Sequence, residues 1–382
     1  MKIIYIANAR IPTAKAHGYQ IAKMCEEFSL AGVQTELWLP GRANAIAGDL
    51  FGFYGVKKVF KVVELKSVDF IKSDKYLGRF SFWLQTAGFM IRLLSVKVDK
   101  DSVIYTRHPE IIWLFSVKGC RTVYEAHRWP GRRAKLHNFL VKQAAKVIVL
   151  TESLKELFLK SGFGEAKVMV VPDGVDLKIF DLDLTKEAAR AQLGLSQNKI
   201  ILGYTGSFKT MGRDKGLVDV LKSLRLLAPE RPDVLFMAVG GSKQDIGHYQ
   251  KIADELGLKN RILLLARVDL DKLAVYQKAF DILLMPFPNR EHYARYMSPL
   301  KMFEYMAARR PVIATDLPSI REVLSEANAV LVKPDNPYDL ARGIKEILAN
   351  PDLAEKLANQ AFLDAKDYSW GRRVWKIINF IQ

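Results

Sequence analysis

The chain has 382 residues, 49% of them hydrophobic and 26% charged, with a formal net charge of +17 and two cysteines. That length suits two domains of about 100–200 residues each, and the composition is that of a soluble globular protein, which excludes a disordered or fibrous chain. Cys25 and Cys120 lie far apart, which excludes a disulfide framework and fits a reducing, cytoplasmic setting.

No apolar run reaches the roughly 18–20 residues of a membrane span. Met1–Ala7 reads as a first strand and lacks the h-region and cleavage site of a signal peptide. The positive surplus asks for an anionic partner: phosphorylated substrates, anionic lipid or nucleic acid.

Residues 1–40 read strand (Lys2–Ala7), polar loop (Asn8–Gly18), helix (Tyr19–Ala31) and strand (Thr35–Leu39). This βαβ opening predicts a parallel, doubly wound sheet. The first loop has no G-x-G-x-x-G, which argues against a dinucleotide dehydrogenase. Residues 41–100 are the least regular, with a helix at Phe80–Val96 that is either buried or laid on a membrane surface.

Two basic runs occupy this half of the chain. Lys57, Lys58, Lys61, Lys66, Lys72, Lys75 and Arg79 alternate with Phe51, Phe53, Tyr54, Phe60 and Phe70. Arg121, Arg128, Arg132, Arg133, Lys135, Lys142 and Lys146 enclose one acid, Glu125. Either run suits an anionic membrane surface or a plain solvated face. No RNA- or DNA-reading module is present, so nucleic acid is not expected as the partner.

Strands at Ser102–Thr106 and Arg121–Glu125 end in Arg107-His108-Pro109 and Ala126-His127-Arg128. Ligands of open α/β sheets bind outside such strand ends. His127 is placed for proton or hydrogen-bond work, and Arg107 for an anion. Further strands at Lys146–Leu150 and Val168–Val171 lead to the turn Pro172-Asp173-Gly174, and residues 177–198 read as a linker, polar and irregular over Asp181–Lys186, with a short helix that runs to Leu193 and stops at Gly194.

A second βα series follows. Its strands are predicted at Ile200–Thr205, Val234–Gly240, Arg261–Leu265, Ile282–Pro286, Val312–Thr315 and Ala329–Val332. Most are continuous apolar runs, as expected of a parallel sheet covered on both faces.

Two electrostatic conflicts mark this half. The loop from Gly206 to Gly216 is no Walker A motif, yet it puts Lys209, Arg213 and Lys215 just before a helix. At Ser298-Pro-Leu-Lys301, Ser298 suits the N-cap and Pro299 the first helical position. The amides of Leu300 and Lys301 are then open to an anion. A lysine there opposes the helix dipole unless an anion is bound. Glu304 follows about one turn later and can accept bonds from sugar hydroxyls. One bound diphosphate resolves both conflicts. The alternative is an ordinary capped helix with a Lys301–Glu304 surface pair.

These segments resemble a family 4 glycosyltransferase of the GT-B fold across essentially the whole chain. The similar segments are Pro12-Thr13…Ala16-His17-Gly18, Glu125-Ala-His127, Val171-Pro-Asp173-Gly-Val-Asp176, the Gly206–Gly216 loop, Ser298-Pro-Leu-Lys…Glu304-Tyr-Met-Ala, Pro311-Val-Ile-Ala-Thr-Asp316 and the closing Tyr368-Ser-Trp370…Ile381. The resemblance implies two Rossmann-like domains facing across a cleft. Residues 1–180 would bind the acceptor and 195–365 the nucleotide-sugar donor, and 366–382 would form a helix returning to the first domain.

It also implies a nucleotide-diphosphate-sugar donor, a glycan, lipid-linked or small-molecule acceptor and retention of anomeric configuration; no metal is expected, because no metal-binding pair of acids lies near these cations in the sequence. It gives Glu304 to the ribose, and Lys215 with Lys209 or Arg213 to the diphosphate at Gly206. His127 goes to the sugar beside the reacting carbon, and amides near Leu300 to the distal phosphate. The base would lie near Arg267 and Val268, and Gly18, Arg107 and Asp173 on the acceptor side. Tyr296 stands where the family often has the first of two glutamates. A sugar-nucleotide epimerase or phosphorylase on the same architecture, or a non-catalytic binder of nucleotide sugars or nucleic acid, are the rival readings.

Overall fold

The computed structural model describes residues 1–382 except 45, 47, 70–78 and 211, and of 79–82 the backbone alone. Phe70, Lys72, Lys75 and the Arg79 side chain of the first basic run therefore lie outside the described residues. The chain forms two compact units, one of Met1–Pro172 with Trp370–Gln382 and one of Asp173–Ser369.

The first unit is built on seven strands, β1 (Lys2–Ile6), β2 (Gln34–Gly41), β3 (Lys61–Lys66), β4 (Ser102–Thr106), β5 (Arg121–Ala126), β6 (Lys146–Val149) and β7 (Val168–Val170). Their order is β3-β2-β1-β4-β5-β6-β7, and every pairing is parallel. The strand order reverses between β1 and β4, so Asn8, Arg107 and His108 sit at the switch point of the sheet.

Ile3 to Ile6 are all buried because helices cover both faces. The helix Arg79–Leu94 sends Phe89 and Leu93 into the core beside Ile4 and Ile6. Its Trp83, Ile91 and Leu94 are exposed, so it presents apolar residues to the core and to solvent alike.

The second unit carries β8 (Ile200–Thr205), the two-residue strands β9 (Lys209–Thr210) and β10 (Arg213–Asp214), β11 (Val234–Gly241), β12 (Ile262–Ala266), β13 (Ile282–Met285), β14 (Val312–Thr315) and β15 (Val330–Val332). The large sheet runs β12-β11-β8-β13-β14-β15, all parallel. Its switch point lies between β8 and β13.

Residues 177–198 are not a free linker. The helices Leu177–Phe180 and Lys186–Leu193 pack into the second unit. Arg190 is buried there, paired with Asp281 and donating to the Ala279 carbonyl at 2.9 Å. Among the described residues no helix is long and apolar enough to cross a membrane.

Candidate active site

At the β8–β13 switch point the second unit brings Lys215, Lys301 and Glu304 toward the end of β8. Gly206 follows β8, and its φ of +105° suits glycine. Its N–H donates to Val239 at 2.8 Å. A Cβ built on Gly206 would come within 3.4 Å of Lys301 Cε and 3.5 Å of its Nζ, so the lysine head rests against this glycine.

Lys301 stands in the first turn of the helix Leu300–Ala307. Its Nζ is buried and has no hydrogen-bond partner among the described residues. It lies 3.4 Å from the centroid of the Tyr204 ring and 5.6 Å from that of Phe287. Burial holds its pKa well below the usual lysine range; the charge of Lys215 adds to this and that of Glu304 opposes it.

Glu304 is also buried. Its Oε2 accepts from Gln277 Nε2 at 3.1 Å, and the same amide donates to Thr205 Oγ1 at 3.0 Å. Burial raises the Glu304 pKa to about 7, against the Gln277 bond and the Lys301 charge. Gln277 Oε1 is buried without a partner. An orphaned donor and an orphaned acceptor therefore flank one carboxyl group. Native interiors rarely leave such groups unsatisfied, and a polar ligand would satisfy both.

Five of the sequence readings need correction. Ser298 does not cap the helix. Pro299 holds the cap position, and Ser298 Oγ accepts from the Asp173 N–H at 2.8 Å. Asp173 thus belongs with Ser298 in the second unit. Lys301 and Glu304 are no surface pair, since both are buried.

The helix Leu217–Leu227 is not left with cations alone at its start. Asp214 accepts from Gly216 N at 2.7 Å and Leu217 N at 3.2 Å, and from the Tyr249 hydroxyl. The chain supplies that anion itself. Finally, Arg107 is committed within the protein, donating to Gln20 at 3.0 Å and Glu125 at 3.1 Å.

The remaining cations separate. Lys215 donates to Ser207 Oγ at 2.8 Å, and burial lowers its pKa to about 8. Bonded to the residue after Gly206, it shares the end of β8 with Lys301. Lys209 sits 3.8 Å from Asp245 and over the Tyr249 ring. Arg213 is exposed on β10. Leu300 opens the Lys301 helix, and after β12 Arg267 is exposed while Val268 packs on the core. The Tyr296 hydroxyl donates to Glu291 at 2.6 Å, so a carboxylate lies beside it that sequence spacing does not reveal.

In the first unit, His127 follows β5 and its Nε2 lies 2.6 Å from Glu125 Oε1. Gly18 sits in the helix Ala16–Leu30, where a Cβ would run into the Tyr54 hydroxyl. That hydroxyl accepts from Thr13 N at 2.7 Å and donates to Thr13 O at 3.0 Å, pinning the loop after β1. Close packing thus accounts for this glycine.

Residues 185–364 match the family described as glycosyl transferases group 1. Lys209, Arg213, Lys215, Lys301 and Glu304 all fall inside the match. The match covers just under half of the chain and lies within its second unit.

The chain's relatives include a putative teichuronic acid biosynthesis glycosyltransferase, TuaH, of Bacillus subtilis, 27% identical over 76% of this chain and 69% of that protein. A D-inositol 3-phosphate glycosyltransferase of Geodermatophilus obscurus is 25% identical over 78% of this chain, and the match spans 64% of that protein.

Among solved structures, sucrose-phosphate synthase from Thermosynechococcus elongatus superposes with a TM-score of 0.77 at 19% identity, covering 99% of this chain and 97% of that one. Anabaena HepE in complex with UDP and glucose superposes with a TM-score of 0.72 at 17% identity, covering 99% and 98%. The chain thus has the GT-B fold.

Proposed function

We propose that the protein is a retaining glycosyltransferase. It moves a hexosyl group from a nucleoside-diphosphate sugar to a hydroxyl of a glycan, lipid-linked or small-molecule acceptor. The carrying observation is the unpartnered Lys301 ammonium against Gly206, with Lys215 on the adjoining Ser207. A diphosphate supplies the charge both lysines lack, and Glu304 with Gln277 offers acceptors to ribose hydroxyls. HepE, of like fold, was solved with UDP and glucose, which supports a nucleotide sugar as donor.

During transfer, the bond from the anomeric carbon to the diphosphate oxygen breaks and its electron pair leaves with the phosphate. A bond to the acceptor oxygen forms, and the acceptor proton passes to the leaving phosphate. Charge grows on the diphosphate in the transition state, where preorganised cations stabilise it most. We assign that neutralisation to Lys215 and Lys301 rather than to a metal ion. Retention follows from the motif resemblance to family 4. The acceptor is assigned to the first unit, with His127 as a hydrogen-bonding group for the sugar.

The test is a product assay with UDP-, GDP- and ADP-hexoses in the presence of EDTA. Transfer that survives chelation and keeps the donor's anomeric configuration supports the proposal. A sugar isomer formed without acceptor would identify an epimerase instead.

A second reading concerns location. The helix Ala134–Val141 exposes Leu136 (60%) and Phe139 (64%). Arg132, Arg133, Lys135 and Lys142 around them are exposed as well. Apolar side chains ringed by cations suit insertion among anionic headgroups at the cytoplasmic face. In the other basic run Tyr54 and Phe60 are buried, so the 134–141 helix carries this proposal. Co-sedimentation with phosphatidylglycerol vesicles at low salt tests it, and a protein that stays in the supernatant refutes it.

A further inference from the structure

The first unit assembles a second ordered constellation around one buried carboxylate. Glu125, near the end of β5, is fully buried. Its Oε1 accepts from Arg107 at 3.1 Å and Arg373 at 2.7 Å and faces His127 Nε2 at 2.6 Å. Its Oε2 accepts from the Tyr105 hydroxyl at 2.5 Å.

Arg373 comes from the closing helix Trp370–Ile381. It is itself buried and anchored on the carbonyls of Val171 at 2.6 Å and Pro172 at 3.0 Å. A carboxylate removed from water persists only when paired and hydrogen-bonded. Here Arg107, Arg373 and His127 outweigh the cost of burial and hold the Glu125 carboxyl well below the usual range.

A permanent carboxylate can only accept. The nitrogen facing it must therefore be the donor, so His127 keeps a proton on Nε2 whatever its charge. Gain or loss of a proton then occurs at Nδ1. His17 also bears on the ring, and burial with the charges of Arg107, Lys15, His108 and His127 itself holds it near 4; Arg107 and Arg373 share Glu125 Oε1 with the ring. His17 carries no charge at neutral pH, the two guanidiniums can only donate, and Glu125 Oε1 is the acceptor that the ring faces.

We infer that Glu125 and Arg373 are positioning residues for His127. The carboxylate fixes the tautomer and orientation of the ring, and the closing helix fixes the carboxylate. The inference rests on the proposed role of His127 toward the sugar, but its geometry can be tested apart from that role.

The experiment is nitrogen-15 NMR of the histidine rings in the full chain, which has only six histidines. The His127 signal is assigned by its loss in His127→Gln. Wild type is expected to show the Nε2–H tautomer at neutral pH. Glu125→Gln and Arg373→Met are expected to give a mixture of tautomers and about a tenfold or greater fall in kcat with little change in donor KM. Arg373→Lys is expected to keep the wild-type signal, and should Glu125→Gln fail to fold, the Arg373 pair carries the test.

A pure Nε2–H tautomer in the folded Glu125→Gln or Arg373→Met proteins would overturn the inference. A shifted tautomer, with full transfer retained in His127→Gln, would uphold the positioning and overturn only the assigned role of His127.

Discussion

The ammonium nitrogen of Lys301 lies 3.4 Å from the centroid of the Tyr204 ring and has no hydrogen-bond partner among the described residues. A cation over an aromatic face recovers part of its lost hydration, about 2 kcal/mol when desolvated, against several kcal/mol for burying an ion. The ligand-free protein therefore holds this lysine at a cost, and a bound diphosphate removes the cost.

Lys301→Met should consequently stabilise the ligand-free protein while weakening donor binding. Replacing poorly compensated buried charge by an apolar side chain gains about 1–3 kcal/mol in comparable cases. That is a rise in melting temperature of about 2 °C or more for a unit of this size. The sign also depends on pH. A lysine with a depressed folded pKa destabilises while the unfolded form is protonated, and the penalty fades as pH approaches the ordinary value of 10.5. The melting-temperature gap between variant and wild type should shrink from pH 7 toward pH 10; a constant gap would contradict this origin.

Transfer should follow a bell-shaped pH profile. Lys215 has a pKa of about 8 and Glu304 of about 7. Diphosphate binding needs the protonated lysine, so kcat/KM falls above about 8. Ribose binding uses the ionised carboxylate, so kcat/KM falls below about 7. These limbs report the free enzyme. Lys215→Arg should move upward the part of the alkaline limb that Lys215 sets, because a guanidinium stays charged, while Lys301, whose pKa burial also lowers, keeps its own part. Lys215→Ala should cut turnover by about 10²-fold or more, as for loss of an oxyanion contact.

Glu304→Gln should act on binding. The amide keeps the volume and one acceptor but removes the charge. Donor affinity should fall about tenfold, with kcat for saturating donor changed less. Unchanged donor affinity by calorimetry would remove Glu304 from the ribose.

Asp281→Ala tests the account of residues 177–198. It would leave Arg190 buried without its carboxylate partner, an arrangement costing about 3–5 kcal/mol. A fall in melting temperature is expected, and an unchanged one would show that these helices add little to the second unit.

Much of the fold was legible because parallel strands covered on both faces are apolar throughout, as Ile282–Met285 are. β3 was not. As the edge strand of its sheet it carries exposed Lys61, Glu64 and Lys66, and so reads as part of a basic run. The linker reading failed for a related reason. Polar spacing at 181–187 is visible in sequence, but the Arg190–Asp281 pair joins residues 91 apart.

At the site, Lys301 was legible from its conflict with the helix dipole. Gln277 was not, because one amide in a helix that also carries Asp271, Lys272 and Lys278 signals nothing until Thr205 and Glu304 are placed beside it. Glu125 looked like the lone acid of a basic stretch. Its pairing with Arg373 spans 248 residues and exists only once the closing helix has packed on the first unit.

The central claim is that a nucleoside-diphosphate sugar binds at Lys301. Isothermal titration of wild type and Lys301→Met with UDP-, GDP- and ADP-glucose tests it most directly. The account predicts that at least one of these binds wild type and binds the variant at least about tenfold more weakly, the effect of losing one charge-assisted phosphate contact. Equal affinity of both proteins, or binding of none of the three to wild type, would contradict it.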